Sequence, residues 1–257
     1  MRVGLIGFGA IARGLLRLVE PQDGLDFVSA LVRQPAKARG DPVLPVCSTV
    51  QELLGYAPDV VVEAGGHNAL RSVGPAVLRG GVDLILVSVG ALADPTFETE
   101  VVTAAKEGRS RAIVASGAIG ALDALASAAV GGLTRVTHIT RKPASALLPL
   151  DEANALTAPR ELFRGSARQG VLLFPESVNV AAAVSLAGIG LDRTELCVIA
   201  DPQLERNTHE VIAEGAFGEL RFSIRNVPTQ ENPRTGKLVA MSILHLLRRR
   251  TAPLAIG

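Results

Sequence analysis

Short apolar runs alternate with amphipathic segments from residue 2 to about residue 116. The runs at 2–6, 59–63 and 83–87 are almost continuously apolar, which is typical of parallel strands covered on both faces. The segment Ala10–Glu20 instead places its apolar residues on one face of a helix. Strands and helices that take turns in this way require crossover connections, so the sequence predicts a Rossmann-type, doubly wound parallel sheet.

The same patterns predict the remaining elements of this first domain. The further strands are expected at 26–32, 44–47 and 112–115, and the further helices at residues from 48 onward, 68–79 and 95–107.

The pattern changes after Gly120, where strands become more frequent than helices. The expected elements are, in order, a helix at 121–130, strands at 135–140 and 161–166, a helix at 179–187, a strand at 195–200 and a hairpin at 209–226. The sequence therefore predicts an α/β protein with a dinucleotide-binding domain at 1–118 and a second, mixed α+β domain at 119–233. The amphipathic C-terminal segment, about 234–257, is expected to pack back on the first domain.

Composition excludes several classes of partner. The net charge is +1 and 20% of residues are charged, so no strong field favours nucleic acid or an acidic membrane surface. No stretch approaches the roughly 20 apolar residues of a membrane helix, and the start does not resemble a signal peptide. Cys47 and Cys197 lie in separate apolar runs, which predicts buried free thiols in a reducing, cytoplasmic compartment.

A glycine turn directly follows the first predicted strand and opens the first helix. In Gly7-Phe-Gly9-Ala10-Ile11-Ala12, the first glycine permits a tight turn and the second lets the backbone approach a pyrophosphate. The free amides at the helix start, at Ala10 and Ile11, favour the phosphates. This strand–turn–helix context predicts a site for a dinucleotide, and therefore NAD or NADP as cofactor.

The end of the second strand bears on the choice of cofactor. Arg33 stands where an acidic residue would bind the ribose hydroxyl of NAD, and its guanidinium matches the 2′-phosphate of NADP. We thus expect the protein to accept NADP as well as NAD. The alternative is that Arg33 is a solvated surface charge without a role in cofactor binding. Ala64 and Ser88, which follow the strands at 59–63 and 83–87, are also predicted to contact the cofactor.

Among the histidines, His209 is the candidate acid or base. It ends a polar run that begins at Asp201, directly after an apolar strand, and we expect a loop there to face the first domain. His138 is predicted to be a packed or edge residue of a strand. His67 either lines the nicotinamide site or starts a helix. No cluster of residues has the spacing of metal ligands, so no metal is expected.

Four sequence blocks together resemble the L-aspartate dehydrogenase family. They span nearly the whole chain, and Asn232-Pro-Arg-Thr also fits. The blocks are Gly7-Phe-Gly-Ala-Ile11, Ser116-Gly-Ala-Ile-Gly120, Phe174-Pro-Glu-Ser-Val-Asn179-Val-Ala and Ala200-Asp-Pro-Gln-Leu-Glu-Arg-Asn207-Thr-His209.

The resemblance implies oxidation of L-aspartate by NAD or NADP to iminoaspartate. This product either enters NAD biosynthesis or hydrolyses to oxaloacetate and ammonia. The family's catalytic histidine corresponds to His209, and its cofactor contacts to Ala118 and Asn179, with Asn207 near the nicotinamide. A Rossmann domain paired with an α/β domain that also forms a homodimer is the family's fold.

The two carboxylates of aspartate require cationic or amide donors. Arg141 and Lys142, at the end of a predicted strand, are the candidates, and the family pattern favours Lys142. The chain departs from the family at Glu176-Ser177, where a basic residue and Asn are common, and an acidic group there would repel an acidic substrate. The alternatives are therefore an enzyme acting on another small amino or hydroxy acid, or a nicotinamide-binding sensor without turnover.

Overall fold

The computed structural model describes residues 1–35, 44–174, 179–232 and 235–254. The chain forms two compact units. The first comprises Met1–Gly117 together with the segment from Val239 onward, and the second comprises Ala118–Leu238.

A parallel sheet forms the centre of the first unit. In the described residues its strand order is β3-β2-β1-β4-β5-β6, the order of a doubly wound dinucleotide-binding fold, which confirms the predicted fold class. Most residues of the inner strands are fully buried because helices cover both faces. The strands are β1 (Arg2–Ile6), β2 (Asp26–Leu31), β3 (Val46–Cys47), β4 (Val60–Glu63), β5 (Asp83–Leu86) and β6 (Ala112–Val114).

The helices of this unit begin close to the predicted positions. Gly9 precedes the first helix. The sequence spacing predicts a capping box at Ser48 and Gln51 for the second helix, but the box is formed one residue later, by Thr49 and Glu52. His67 is the first residue of the third helix, which is the helix-start alternative. The helices are α1 (Ala10–Leu18), α2 (Val50–Gly55), α3 (His67–Arg79) and α4 (Pro95–Gly108).

The C-terminal helix belongs largely to the first unit, where polar contacts hold it in place. The Arg248 guanidinium donates to Asp23 (Nε–Oδ1 2.6 Å), and Arg250 forms an ion pair with Asp83 (2.8 Å). Nearer the start of the helix, the backbone N–H of Gly117 donates to the Ser242 hydroxyl (3.1 Å). This helix is α9 (Leu238–Thr251), numbered after the helices of the second unit, which precede it in the chain.

The second unit contains a mixed sheet whose order, in the described residues, is β11-β10-β7-β9-β8. The two central strands β7 and β9 are parallel, whereas β8 and β10 pair antiparallel with them. A hairpin connects β10 to β11. The strands are β7 (Leu133–Pro143), β8 (Arg160–Ser166), β9 (Glu195–Asp201), β10 (Thr208–Gly215) and β11 (Gly218–Arg225).

The helices of the second unit build a core on one face of this sheet. Val180 and Val184 pack with Leu125 against Val136 and Val211 of the sheet. Leu125, Val180 and Val184 lie on helices, which cover the sheet face formed by alternate residues of β7 and β10. The helices are α5 (Leu122–Val130), α6 (Leu150–Ala155), α7 (Ala167–Leu173) and α8 (Asn179–Ala187).

Four features of the second unit differ from the sequence prediction. One is α6, which lies in a polar stretch where the sequence analysis placed no helix. His209 was expected in a loop, but it is the second residue of β10, where it pairs with Thr140 and Ile224. The loop is confined to the polar residues before it. β7 is longer than predicted at both ends, and α7 was missed, although a capping box at Ser166 and Gln169 starts it. No helix within the described ranges is long and apolar enough to cross a membrane.

Candidate active site

The glycine turn of the first unit is tied to two neighbouring strands. Gly7 has a left-handed φ of +86°, and its N–H donates to the carbonyl of Leu31 at the end of β2 (2.8 Å). A Cβ at Gly7 would lie 2.6 Å from the Cα of Gly65, which follows β4. Both the backbone conformation and the close approach therefore require glycine at this position.

Gly9 differs from Gly7 because the space beside it is open. A Cβ at Gly9 would meet nothing within 4 Å, and its φ of −93° is accessible to any residue. No side chain caps α1, so the first amides of the helix, at Ala10 and Ile11, have no side-chain acceptor at the cap. Open space beside uncapped amides fits the pyrophosphate of a dinucleotide.

Glu63, at the end of β4, organises the rim next to this turn, and the sequence analysis missed it. Its fully buried carboxylate accepts hydrogen bonds from the backbone N–H groups of Gly65 (2.9 Å), Gly66 (3.0 Å), Val87 (3.3 Å) and Ser88 (2.9 Å). Burial raises the pKa of Glu63, while these donors act in the opposite direction. The signal was present in the sequence as a carboxylate that ends an otherwise apolar strand.

Hydrogen bonds also fix Ser88 and Ala64, two residues that were predicted to contact the cofactor. The Ser88 hydroxyl donates to Glu63 (2.8 Å), so this side chain is directed to the carboxylate. Ala64 donates its N–H to the carbonyl of Ile6 (2.8 Å) and so lies beside the glycine turn. Arg33 is exposed, two residues beyond Leu31, on the same sheet edge as Gly7. Their contacts with a cofactor stay predictions.

In the second unit, one face of the sheet gathers four polar side chains. His138, Thr140 and Lys142 alternate along β7 and therefore point to the same face. His209 of β10 is directly opposite Thr140. All four are buried, with Lys142 7% and His209 4% exposed. Arg141, the other candidate for the carboxylates, follows Thr140 directly and points to the opposite face.

The two buried histidines contact each other. His138 Nε2 lies 3.3 Å from His209 Nδ1. Burial lowers the pKa of His138 to about 3, with a further contribution from the Lys142 charge. Burial, His138 and Lys142 hold the pKa of His209 well below its usual range. Both rings are therefore neutral at physiological pH.

A cavity of about 580 Å³ in the second unit lies at the end of this face, within the usual size range of small-molecule sites. Lys142 lines it, as does Asn207, which was predicted to lie near the nicotinamide. Arg206, Asn226 and Asn232 add further polar groups that the sequence analysis did not single out. The cavity thus combines two cations and amide groups, which are donors suited to carboxylates, with one carboxylate residue, Glu205.

The remaining predicted residues lie in the same unit. Asn226 donates its side-chain N–H to the carbonyl of Ala118 (2.7 Å), which connects that residue to the wall of the cavity. Asn179 is the first residue of α8. Gly188, directly after α8, packs against Val136 near the start of β7. Glu176 lies outside the described residues.

Two family models match the chain. One is described as aspartate dehydrogenase, C-terminal, and matches residues 123–250; the other, homoserine dehydrogenase, NAD binding domain, matches residues 7–115. An L-aspartate dehydrogenase of Ruegeria pomeroyi is 44% identical over 98% of this chain and 93% of its own length. That of Pseudomonas aeruginosa is 37% identical over the whole of both chains. The chain belongs to the aspartate dehydrogenase family.

The solved structures agree with this membership. The aspartate dehydrogenase of Thermotoga maritima has a TM-score of 0.82 at 28% identity and covers 100% of this chain and 99% of its own. An archaeal homoserine dehydrogenase in complex with NADPH has a TM-score of 0.65 at 12% identity over 97% of each chain, which shows a shared fold. As a member of this family with an NAD-binding domain, the protein uses NAD or NADP.

The two glycines of the turn provide a matched pair of variants. Gly9→Val should fold with an almost unchanged melting temperature because its side chain enters open space, yet that side chain should weaken NADH binding at least tenfold. Gly7→Ala should lower both the melting temperature and the affinity, because its Cβ meets the backbone of Gly65. Thermal melts and NADH fluorescence titration measure the two effects. Tight NADH binding by Gly9→Val would contradict the proposed phosphate position.

The buried histidine pair predicts a loss of stability in mild acid. The unfolded chain binds protons below a pH of about 6.5, whereas folded His138 and His209 do not, so stability falls as the pH falls. Each histidine contributes up to about 1.4 kcal/mol per pH unit. His138→Leu should remove one such contribution, whereas His245→Gln, on an exposed position of α9, should not. Urea unfolding from pH 7.5 to 5.5 measures the slopes, and equal slopes for His138→Leu and wild type would contradict the neutral pair.

Proposed function

We propose that this protein oxidises L-aspartate to iminoaspartate, with NAD or NADP as the hydride acceptor at the nicotinamide C4. The observation that carries the proposal is the cavity that buried Lys142 and Arg206 both line, together with amide residues and one carboxylate residue, Glu205. Aspartate carries two carboxylates, and two cations match them. The relatives named L-aspartate dehydrogenase support the same substrate.

Lys142 is proposed to bind one carboxylate of the substrate. Lys142 is a residue of β7, and the pairing of β7 with β9 and β10 fixes the position of its backbone. Burial strengthens the attraction of Lys142 for an anion, because less water screens the charge. Arg206 is exposed on the loop before β10 and is proposed to bind the second carboxylate with its planar guanidinium. Together they favour a dicarboxylate over a substrate with one acidic group.

Asn207, Asn226 and His209 are proposed to orient the rest of the substrate. The Asn226 N–H donates to the carbonyl of Asn207 (2.9 Å), so the two asparagines are fixed relative to each other. His209 follows two residues later and is held by β-sheet pairing on both sides. A neutral, buried imidazole is able to donate or accept a hydrogen bond at the reacting group. His209 is therefore proposed as the catalytic residue.

The first unit is proposed to bind the cofactor through the turn at Gly7 and Gly9 and the first amides of α1. Ala64 and Ser88, at the ends of adjacent parallel strands, are proposed to line the same edge. Ala118 and Asn179 of the second unit are further proposed contacts. The reaction then requires that the Cα–H of aspartate point at the nicotinamide. Iminoaspartate leaves for NAD biosynthesis or hydrolyses to oxaloacetate and ammonia.

We also propose that the enzyme is a cytoplasmic homodimer. The sheet face opposite the helices of the second unit carries Ile139 and Ile212, both only partly buried. Ion pairs of Arg135 with Glu214 and of Arg221 with Glu210 surround them. A partly apolar face with charged margins fits a second copy of the chain. The free cysteines are buried, as predicted, which is consistent with a reducing compartment.

A spectrophotometric assay tests the proposed reaction. L-Aspartate with NAD or NADP at alkaline pH should produce the reduced cofactor, and oxaloacetate with ammonia should consume it. His209→Ala should lower kcat/KM roughly 10²–10⁴-fold and leave NADH binding unchanged. His245→Ala, on the exposed side of α9, is the matched control and should retain wild-type activity. No absorbance change with L-aspartate or in the reverse reaction would reject the proposal.

The exposed position of Arg33 predicts a role in cofactor choice. Arg33→Ala should raise the KM for NADP roughly 10–100-fold, since one charge-assisted contact with the 2′-phosphate is lost. The KM for NAD should change less than about twofold, since NAD has no phosphate there. Arg249→Ala removes the same charge from an exposed position on α9 and serves as the control. Equal effects of Arg33→Ala on both cofactors would show that Arg33 is a surface charge without this role.

A further inference from the structure

The contact between the two buried histidines indicates which ring nitrogen of each carries its hydrogen. Their ring planes differ by only 24°, and the ring centroids (5.4 Å) lie farther apart than the facing nitrogens (3.3 Å). The rings therefore meet edge to edge, with His138 Nε2 aimed at His209 Nδ1. Because both rings are neutral, one hydrogen lies between these nitrogens.

Two arrangements of that hydrogen are possible, and the far side of His138 distinguishes them. His138 Nδ1 is buried and has no hydrogen-bond partner among the residues that the structure describes. If His209 donated to His138, then His138 would carry its hydrogen on Nδ1, as a buried N–H without an acceptor. If His138 donates from Nε2, the orphan atom is only a lone pair. Unpaired buried N–H groups are the rarer and costlier defect, so the second arrangement is favoured.

We propose that His138 is a positioning residue that fixes His209 as the tautomer with its hydrogen on Nε2. With Nδ1 accepting from His138, neutral His209 must carry its own hydrogen on Nε2. Among the described residues, none forms a hydrogen bond with Nε2. His209 therefore presents an N–H donor to the substrate instead of a lone pair. This inference rests on the proposed function for the identity of the substrate.

The acceptor that fits this donor is an oxygen atom of the substrate. An ammonium has no lone pair to offer, and in a neutral amine the lone pair must form the C=N bond as hydride leaves. A carboxylate oxygen, or the keto oxygen in the reverse reaction, remains as the partner. A neutral imidazole is able to polarise such an oxygen without giving up its proton. The substrate ammonium therefore loses its proton to water before the oxidation step. As hydride moves from Cα to the nicotinamide C4, the amine lone pair forms the C=N bond of the protonated imine, and no proton is transferred to His209.

The surroundings of the pair support a neutral donor. On β7, the charged group that shares the face is Lys142, which opposes a second positive charge on either ring. On the same face, Thr140 is a neutral polar neighbour of His209. The other strand neighbours are apolar: Val211 of β10 and Leu196 of β9 pair with His138, and Ile224 of β11 pairs with His209. No carboxylate among the described residues is placed to stabilise an imidazolium there.

Nuclear magnetic resonance determines the tautomer without reference to activity. Long-range ¹H–¹⁵N correlation of the full-length protein, labelled with ¹⁵N-histidine, reports which ring nitrogens carry hydrogen. The chain has four histidines, and the spectra of single variants assign the two rings. We expect hydrogen on Nε2 of both His138 and His209 at neutral pH. Hydrogen on Nδ1 of His209 would overturn the inference, whether or not the enzyme oxidises L-aspartate.

Variants of His138 test whether the assignment matters for catalysis. His138→Leu removes the donor and should lower kcat/KM for L-aspartate about tenfold while NADH binding is unchanged. His138→Gln places an amide N–H near the position of Nε2 and should restore activity to within about threefold of wild type. Thr194→Val, another buried side chain whose hydroxyl has no partner, controls for a general change in the core. Equal impairment of the Gln and Leu variants, or full activity of the Leu variant, would overturn the positioning role.

If wild-type protein does not oxidise L-aspartate, the proposed function fails, and the ring protonation states still decide this inference. If it does and His209 carries its hydrogen on Nδ1, only the inference fails.

Discussion

The pairing of β10 with β7 is the constraint on which the candidate substrate site depends. It sets His209 opposite Thr140, and the alternation of β7 then places His138 and Lys142 on the same face as His209. A slip of one residue would turn His209 to the opposite face, away from Lys142. The backbone register of β7 with β10 thus determines on which face Lys142 and the two histidines lie, and with Lys142 one side of the cavity.

The cofactor turn depends on a comparable buried contact in the first unit. Gly7 approaches the backbone after β4 so closely that the conformation of that segment decides whether the turn fits. Glu63 holds this segment by accepting the N–H groups of Gly65 and Gly66, and it holds the end of β5 through Val87 and Ser88. A buried carboxylate is costly unless donors surround it, so the peptide groups at the rim are fixed by that requirement.

The sequence predicted most of the fold, because its apolar runs and the glycine turn are local signals. Lys142 and His209 were candidates from the sequence and from the family resemblance, and their roles stay predictions. The sequence did not predict the loop-to-strand change at His209 or the contact with His138, since these residues are 71 positions apart and meet only through sheet register. Glu63 was missed because most of its partners are backbone amides, so that only its place at the end of an apolar strand marks it in the sequence. Arg206 was not singled out from the sequence, because the cavity that it lines with Lys142 brings together residues that are far apart in the chain.

The proposed reaction removes hydride from the Cα of aspartate. Transfer of deuterium from L-[2-²H]aspartate to the cofactor measures this step directly, since the label is either on C4 of the reduced nicotinamide or absent. We expect one deuterium at C4 of the reduced nicotinamide per turnover. Hydrogen at this position should appear only through later exchange. Reduced cofactor without deuterium, or none formed, would contradict the proposed reaction.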